Sequence, residues 1–206
     1  MPGSDLLLSA RSQSAEGPPS PNLALIGGRG CGKTSVAREL AECHSRFDLQ
    51  SIDAAIRSER GGKSIPEIVE SEDWSGFREL EYRVLLRLVE ANEASLLDCG
   101  GGIVVDLDSD GGEIFSERKV RALRSHAFVV YLHCDLAILL SRIEGDPERP
   151  ALSSSESFEQ IMERREPWYR RAADAVVEVD ELSTPELADM ILATLARGGR
   201  DGSGRT

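Results

Sequence analysis

Gly27-Gly28-Arg29-Gly30-Cys31-Gly32-Lys33-Thr34 follows the apolar run Leu23–Ile26 and leads straight into a stretch with Val36, Ala37, Leu40 and Ala41 at helical spacing. Strand, G-x-x-x-x-G-K-[ST] and helix in that order make a phosphate-binding loop. Its glycines let the chain turn tightly and bring backbone N–H groups against phosphate oxygens, while the helix N-terminus adds partial positive charge. Gly28, Gly30, Cys31, Gly32, Lys33, Thr34 and Ser35 are therefore expected to cradle the phosphates of ATP. Lys33 would bridge the β- and γ-phosphates, and the Thr34 hydroxyl would complete a Mg²⁺ shell. Nucleotide binding alone does not separate a GTPase switch, a motor and a small-molecule kinase. A short chain with a single such loop favours a kinase acting on metabolites or nucleotides.

Working outward, Ser95–Cys99, Phe128–Leu132 and Ala175–Val179 repeat the short apolar pattern of Leu23–Ile26, and Gln50–Ile52 is a weaker fifth run. They alternate with amphipathic stretches, which predicts an α/β domain: a three-layer sandwich with a five-stranded parallel sheet between helices. Ser64-Ile65-Pro66-Glu67 has capping-box spacing, and Thr184-Pro185 opens a last helix. Phe77, Leu80, Val84, Leu85 and Leu88 recur at the period of a buried helix face. A length of 206 residues suits one domain, placed over 21–197, with residues 1–20 read as a flexible leader and 198–206 as a flexible tail. Lys+Arg 24 against Asp+Glu 36 leaves a net charge of −12, which disfavours nucleic acid and anionic membrane surfaces as partners. No apolar stretch is long enough to span a bilayer, and Leu6–Leu8 is too short for an export signal. Cys31, Cys43, Cys99 and Cys134 show no CxxC spacing and read as reduced thiols of a cytoplasmic protein.

Further along come Ile52-Asp53-Ala54-Ala55-Ile56 with Gly62-Lys63-Ser64-Ile65, then Phe77-Arg78-Glu79-Leu80-Glu81, then Gly100-Gly101-Gly102. Arg149-Pro150-Ala151-Leu152 and Arg165-Glu166-Pro167-Trp168-Tyr169 follow. With the phosphate loop, this order of segments resembles the shikimate kinase family from about Pro21 to about Arg197. The resemblance implies transfer of the ATP γ-phosphate to the 3-hydroxyl of shikimate, with Mg²⁺, by a monomer. It places Arg78 and Arg165 on the substrate carboxylate, chemistry suited to a planar guanidinium. The Gly100-Gly101-Gly102 turn would let the substrate approach the backbone. Asp53 would orient the acceptor hydroxyl and accept its proton, although it also stands where it would N-cap a helix over 54–60. Arg149 would act from a lid over about 144–157, stabilising transferred charge, and Arg142 would stack on adenine. Trp74 and Trp168 adjoin these segments, either as pocket wall or as core.

Two features depart from the family pattern. The family's D-x-D is Ser51-Ile52-Asp53 here, so a hydroxyl replaces an acid near the metal. Asp98 ends a hydrophobic strand, where phosphate-loop proteins place a metal-side acid, and is expected to replace the missing charge. The second departure is Asp106-Leu107-Asp108-Ser109-Asp110-Gly111 with Glu117, which matches the letters of a calcium loop but lacks an entering helix. It reads as a solvated acidic turn. Two rivals remain: a related kinase for another polyol acid such as gluconate, and an ATP-binding module without kinase activity.

Overall fold

The computed structural model describes residues 22–91, 95–143, 156–180 and 182–201. The leader expected over 1–20, Arg149 and most of the expected lid lie outside them. The strands are β1 (Asn22–Ile26), β2 (Asp48–Ser51), β3 (Ser95–Asp98), β4 (Val105–Leu107), β5 (Glu113–Phe115), β6 (Ala127–His133) and β7 (Ala175–Glu178). The helices are α1 (Lys33–Cys43), α2 (Ile52–Glu59), α3 (Ile65–Ala91), α4 (Glu117–His126), α5 (Leu136–Ile143), α6 (Phe158–Ala172) and α7 (Thr184–Asp201).

Every residue of β1 and β3 is buried, as a strand covered by helices on both faces requires. The five expected runs form one parallel sheet in the order β2-β3-β1-β6-β7. Its register decides where the chemistry can sit. Asp98 pairs with Leu25 on one side and with Ser51 on the other. The carboxyl ends of three strands therefore finish level, and the loops that follow them share one edge, the usual ligand side of an open α/β sheet.

Several boundaries differ from the reading of the sequence. Ser51 caps α2, its hydroxyl accepting from the Ala54 N–H at 3.4 Å. The helix thus starts one residue before Asp53, whose carboxyl is not spent on a cap. Ser64 and Glu67 do form the expected reciprocal cap. The helix behind it breaks at Asp73, which adopts φ 58° and ψ 177°; the Asp73 carboxylate then accepts from the Gly76 N–H at 2.9 Å and restarts the helix just before Arg78. At the far end, α7 runs on to Asp201, into the stretch read as a tail. Gly198 lies so close to the Phe128 ring that a Cβ there would meet Cζ at 2.6 Å.

The acidic stretch after the glycine triplet departs in part from expectation. Its tip, residues 108–112, is an exposed turn as expected, but it closes an antiparallel hairpin of β4 and β5 that the sequence did not predict. Asp108 shapes its tip by accepting from the N–H groups of Asp110 and Gly112 at 2.9 and 2.8 Å. Asp106 accepts from Ser116 Oγ at 2.8 Å and Arg118 Nε at 2.9 Å and faces Lys119 Nζ at 3.7 Å. Basic residues of α4, not solvent, compensate this acid, and those bonds use the oxygens that a calcium ion would need.

Candidate active site

The level strand ends open into a cleft of about 560 Å³. Gly30, Gly32, Lys33, Thr34 and Ser35 line it from the phosphate loop and the start of α1. Gly32 has φ 93° and caps α1 without any side-chain bond, so the N–H groups of the first turn are left for an anion. Lys33 is buried and its ammonium donates to the carbonyls of Gly27 and Gly28, both at 2.9 Å. Burial works against this charge, but the surroundings formed by Cys31, Tyr169, Asp98 and Asp53 outweigh it and leave the lysine above its ordinary pKa.

Gly28 and Cys31 are not on the cleft wall. A Cβ at Gly28 would meet Met162 Sδ at 2.9 Å, so this glycine packs against the end of the Met162 side chain under the loop. The Cys31 side chain is 1% exposed and accepts from Lys33 at 3.6 Å.

Opposite the loop stands Asp98, 7% exposed at the end of β3, whose Oδ2 accepts from the Thr34 hydroxyl at 2.8 Å. A hydroxyl and one carboxylate beside a phosphate cradle are hard oxygen donors, few in number. That suits Mg²⁺, which keeps several waters and completes its shell from substrate phosphates. Ser51 lies on the same wall but spends its hydroxyl on the α2 cap.

Asp53 presents its carboxyl to the cleft. Although Asp53 is exposed to the cleft, the protein crowded around its carboxyl and the charge of Glu81, against the pull of Lys33, push it up to about 6. Each outer glycine of the triplet is matched to a neighbouring side chain. A Cβ on Gly100 would meet Asp53 Oδ1 at 2.7 Å, and one on Gly102 would meet Arg78 Nη2 at 2.6 Å.

Arg78 and Arg165 are 5% and 3% exposed and line this same cleft, although they come from α3 and α6. Arg78 donates through Nη1 to Glu81 at 3.0 Å, its guanidinium carbon lies 5.1 Å from the Trp74 ring, and its buried Nε has no hydrogen-bond partner. Arg165 reaches the Gly101 carbonyl at 3.4 Å, and the Tyr169 hydroxyl donates to the same oxygen. Trp74 lines the cleft, whereas Trp168 packs near Phe115 with 6.5 Å between ring centroids. Arg142 stands at the mouth and donates to the Gly30 carbonyl at 3.2 Å.

Glu81 and Glu113 contribute through the arginines they hold. Glu81 is 1% exposed and accepts from both Arg78 and fully buried Lys119, the latter at 2.7 Å. Burial opposes its charge, yet Lys119 and Arg78 hold the Glu81 carboxyl below its ordinary pKa. Glu113 sits behind Arg165. Of these, only Glu81 had a sequence signal, its i,i+3 spacing from Arg78 on a helix.

A family model described as shikimate kinase matches residues 29–196. A shikimate kinase of Leptospira biflexa is 43% identical over 171 residues, covering 83% of this chain and 93% of the relative. One from Xanthomonas euvesicatoria is 35% identical over 184 residues, covering 86% and 93%. Among solved structures, a shikimate kinase from Acinetobacter baumannii in complex with shikimate superposes with a TM-score of 0.72 at 32% identity, covering 86% of this chain and 93% of that one.

Proposed function

The chain belongs to the shikimate kinase family, and from that premise we propose that it transfers the γ-phosphate of ATP to a hydroxyl of shikimate. The observation that carries the proposal is the convergence of two buried arginines on the cleft that holds the phosphate loop. A buried guanidinium with an unpartnered Nε is costly until a carboxylate arrives. Shikimate supplies that carboxylate on a ring that also carries hydroxyls.

In this reading Arg78 and Arg165 pin the acid, and the Gly100-Gly101-Gly102 turn leaves room for the ring. Asp53 holds the acceptor hydroxyl and takes its proton. Lys33, released from the Gly27 and Gly28 carbonyls, spreads its charge over the transferring phosphoryl oxygens. Thr34 and Asp98 would hold Mg²⁺, which neutralises phosphate charge when bound. Gly28, Gly30, Cys31, Gly32 and Ser35 contribute the loop backbone, Arg142 lies along the base, and Arg149 acts from the lid. Catalysis is then mainly positioning and electrostatics, as phosphoryl transfer demands. The site needs no residue from a second copy, which is compatible with the monomer we propose, and its free thiols fit a cytoplasmic setting. Steady-state ADP release tests the proposal. Shikimate should stimulate it strongly and gluconate should not; equal stimulation by both, or none by shikimate, would overturn it.

Two further outcomes follow. Since Asp53 must be ionised to act as the base and its carboxyl titrates at about 6, kcat/KM should climb as pH rises through 6 and level off above it. A pH–rate series that is flat from 5 to 7 would remove Asp53 from that role. Gly102→Ala should lower thermal stability, because the added methyl displaces the Arg78 guanidinium from its buried pair with Glu81. The displaced guanidinium no longer meets the acid, so the KM for shikimate should rise by about tenfold or more. An unchanged KM for shikimate would show that Arg78 does not contact it.

A further inference from the structure

The hairpin that carries the acidic turn delivers a carboxylate to the back of the acid-binding arginine. Glu113, on β5, takes one edge of the Arg165 guanidinium with both oxygens: Nε donates to Oε2 at 2.9 Å and Nη2 to Oε1. The Arg165 side chain is 4% exposed and that of Glu113 17%. Glu113 is itself held from a second side, since Arg164 Nη2 donates to its Oε2 at 3.0 Å while also donating to Glu156 at 2.9 Å. Glu113 does not line the cleft. The remaining end of the Arg165 fork, Nη1, lies at the Gly101 carbonyl on the cleft wall. The carboxylate therefore engages the fork from behind and does not occupy the end that faces the cleft.

We propose that Glu113 is a positioning residue: it fixes the plane and direction of the Arg165 guanidinium so that this end is set for the acceptor's carboxylate. The proposal rests on the functional reading above. Two effects oppose each other here. Removing a negative charge beside Arg165 would by attraction alone strengthen binding of an acid. Against that, a planar fork binds a carboxylate well only in a fixed orientation, and a buried guanidinium without its partner turns toward whatever acceptor it can reach. Orientation wins, because Glu113 takes the Nε edge of the fork and leaves Nη1, which rests on the Gly101 carbonyl, on the cleft side.

The test uses the full chain with Glu113→Ala and Glu113→Gln, reading steady-state kinetics with both substrates and calorimetric binding of shikimate. For Glu113→Ala the KM and Kd for shikimate should rise by about tenfold or more, as outer partners of a binding group typically require. The KM for ATP and the kcat at saturating shikimate should stay within about threefold of wild type. Glu113→Gln, which keeps the shape and one acceptor oxygen, should fall between, and it carries the test if the alanine variant does not fold. Unchanged shikimate affinity in both variants, or tighter binding, would overturn the assignment. So would a parallel loss in kcat and ATP affinity, which marks general loosening. Wild-type protein that neither binds nor phosphorylates shikimate would instead overturn the functional reading and this assignment together.

Discussion

Replacing Lys33 with methionine should lower kcat by about 10²–10³-fold, or roughly 2.7–4 kcal/mol of transition-state stabilisation, the cost of deleting one preorganised donor at a developing charge. Methionine keeps the length and apolar stem of the side chain and removes only the ammonium. The fold should hold, because the bonds lost are those to the Gly27 and Gly28 carbonyls and to Cys31 Sγ, which the lysine must release in any case to reach phosphate. The KM for shikimate should change little, since the acid site is built from other elements. Pre-steady-state and steady-state turnover with both substrates saturating would check this. A loss under about tenfold, or ~1.4 kcal/mol, would mean that the ammonium does not meet the phosphoryl group.

The second large effect is expected at Asp98. Its carboxylate accepts from Thr34 at 2.8 Å and is 7% exposed. Asp98→Asn keeps the shape and an acceptor oxygen for Thr34 while deleting the charge, so it separates electrostatics from packing. Turnover should fall by about 10²-fold, and the Mg²⁺ concentration for half-maximal activity should rise. Position 51 is the registered neighbour of position 98 across β2 and β3. Ser51→Asp should therefore recover part of the loss in the Asp98→Asn background, and in the wild-type background it should crowd two acids together and bring no gain. A magnesium titration of the three variants reads all of this. An Asp98→Asn enzyme within about tenfold of wild type, or ~1.4 kcal/mol, would take Asp98 out of the metal shell.

What could be read along the chain was what local rules determine. The buried strands β1, β3 and β6 announce themselves because a strand covered on both faces must be apolar almost throughout. The phosphate loop does so because its glycines and lysine are adjacent. Arg78 and Arg165 were legible through family resemblance alone; nothing in their neighbouring residues shows that α3 and α6 bring them to one cleft. The exposed acidic turn is legible in the sequence, but the strands beside it are not, because Asp106 is held by Arg118, Ser116 and Lys119, partners that only the fold brings to it. The same holds for Glu113, whose partners Arg164 and Arg165 lie some fifty positions away. The cap of α2 lies two positions earlier than expected: Ser51 and Asp53 are both good cap residues, and the helix took the earlier one. That choice leaves Asp53 free for the cleft.

The most direct measurement compares shikimate with its methyl ester as acceptor, following ADP release under the same ATP and Mg²⁺. If Arg78 and Arg165 pin the acid opposite the phosphate loop, shikimate should be phosphorylated and kcat/KM for the ester should fall by about 10²-fold or more, the loss of a charge-assisted bidentate contact. An ester used as well as the acid, or no ADP release with shikimate itself, would contradict the account.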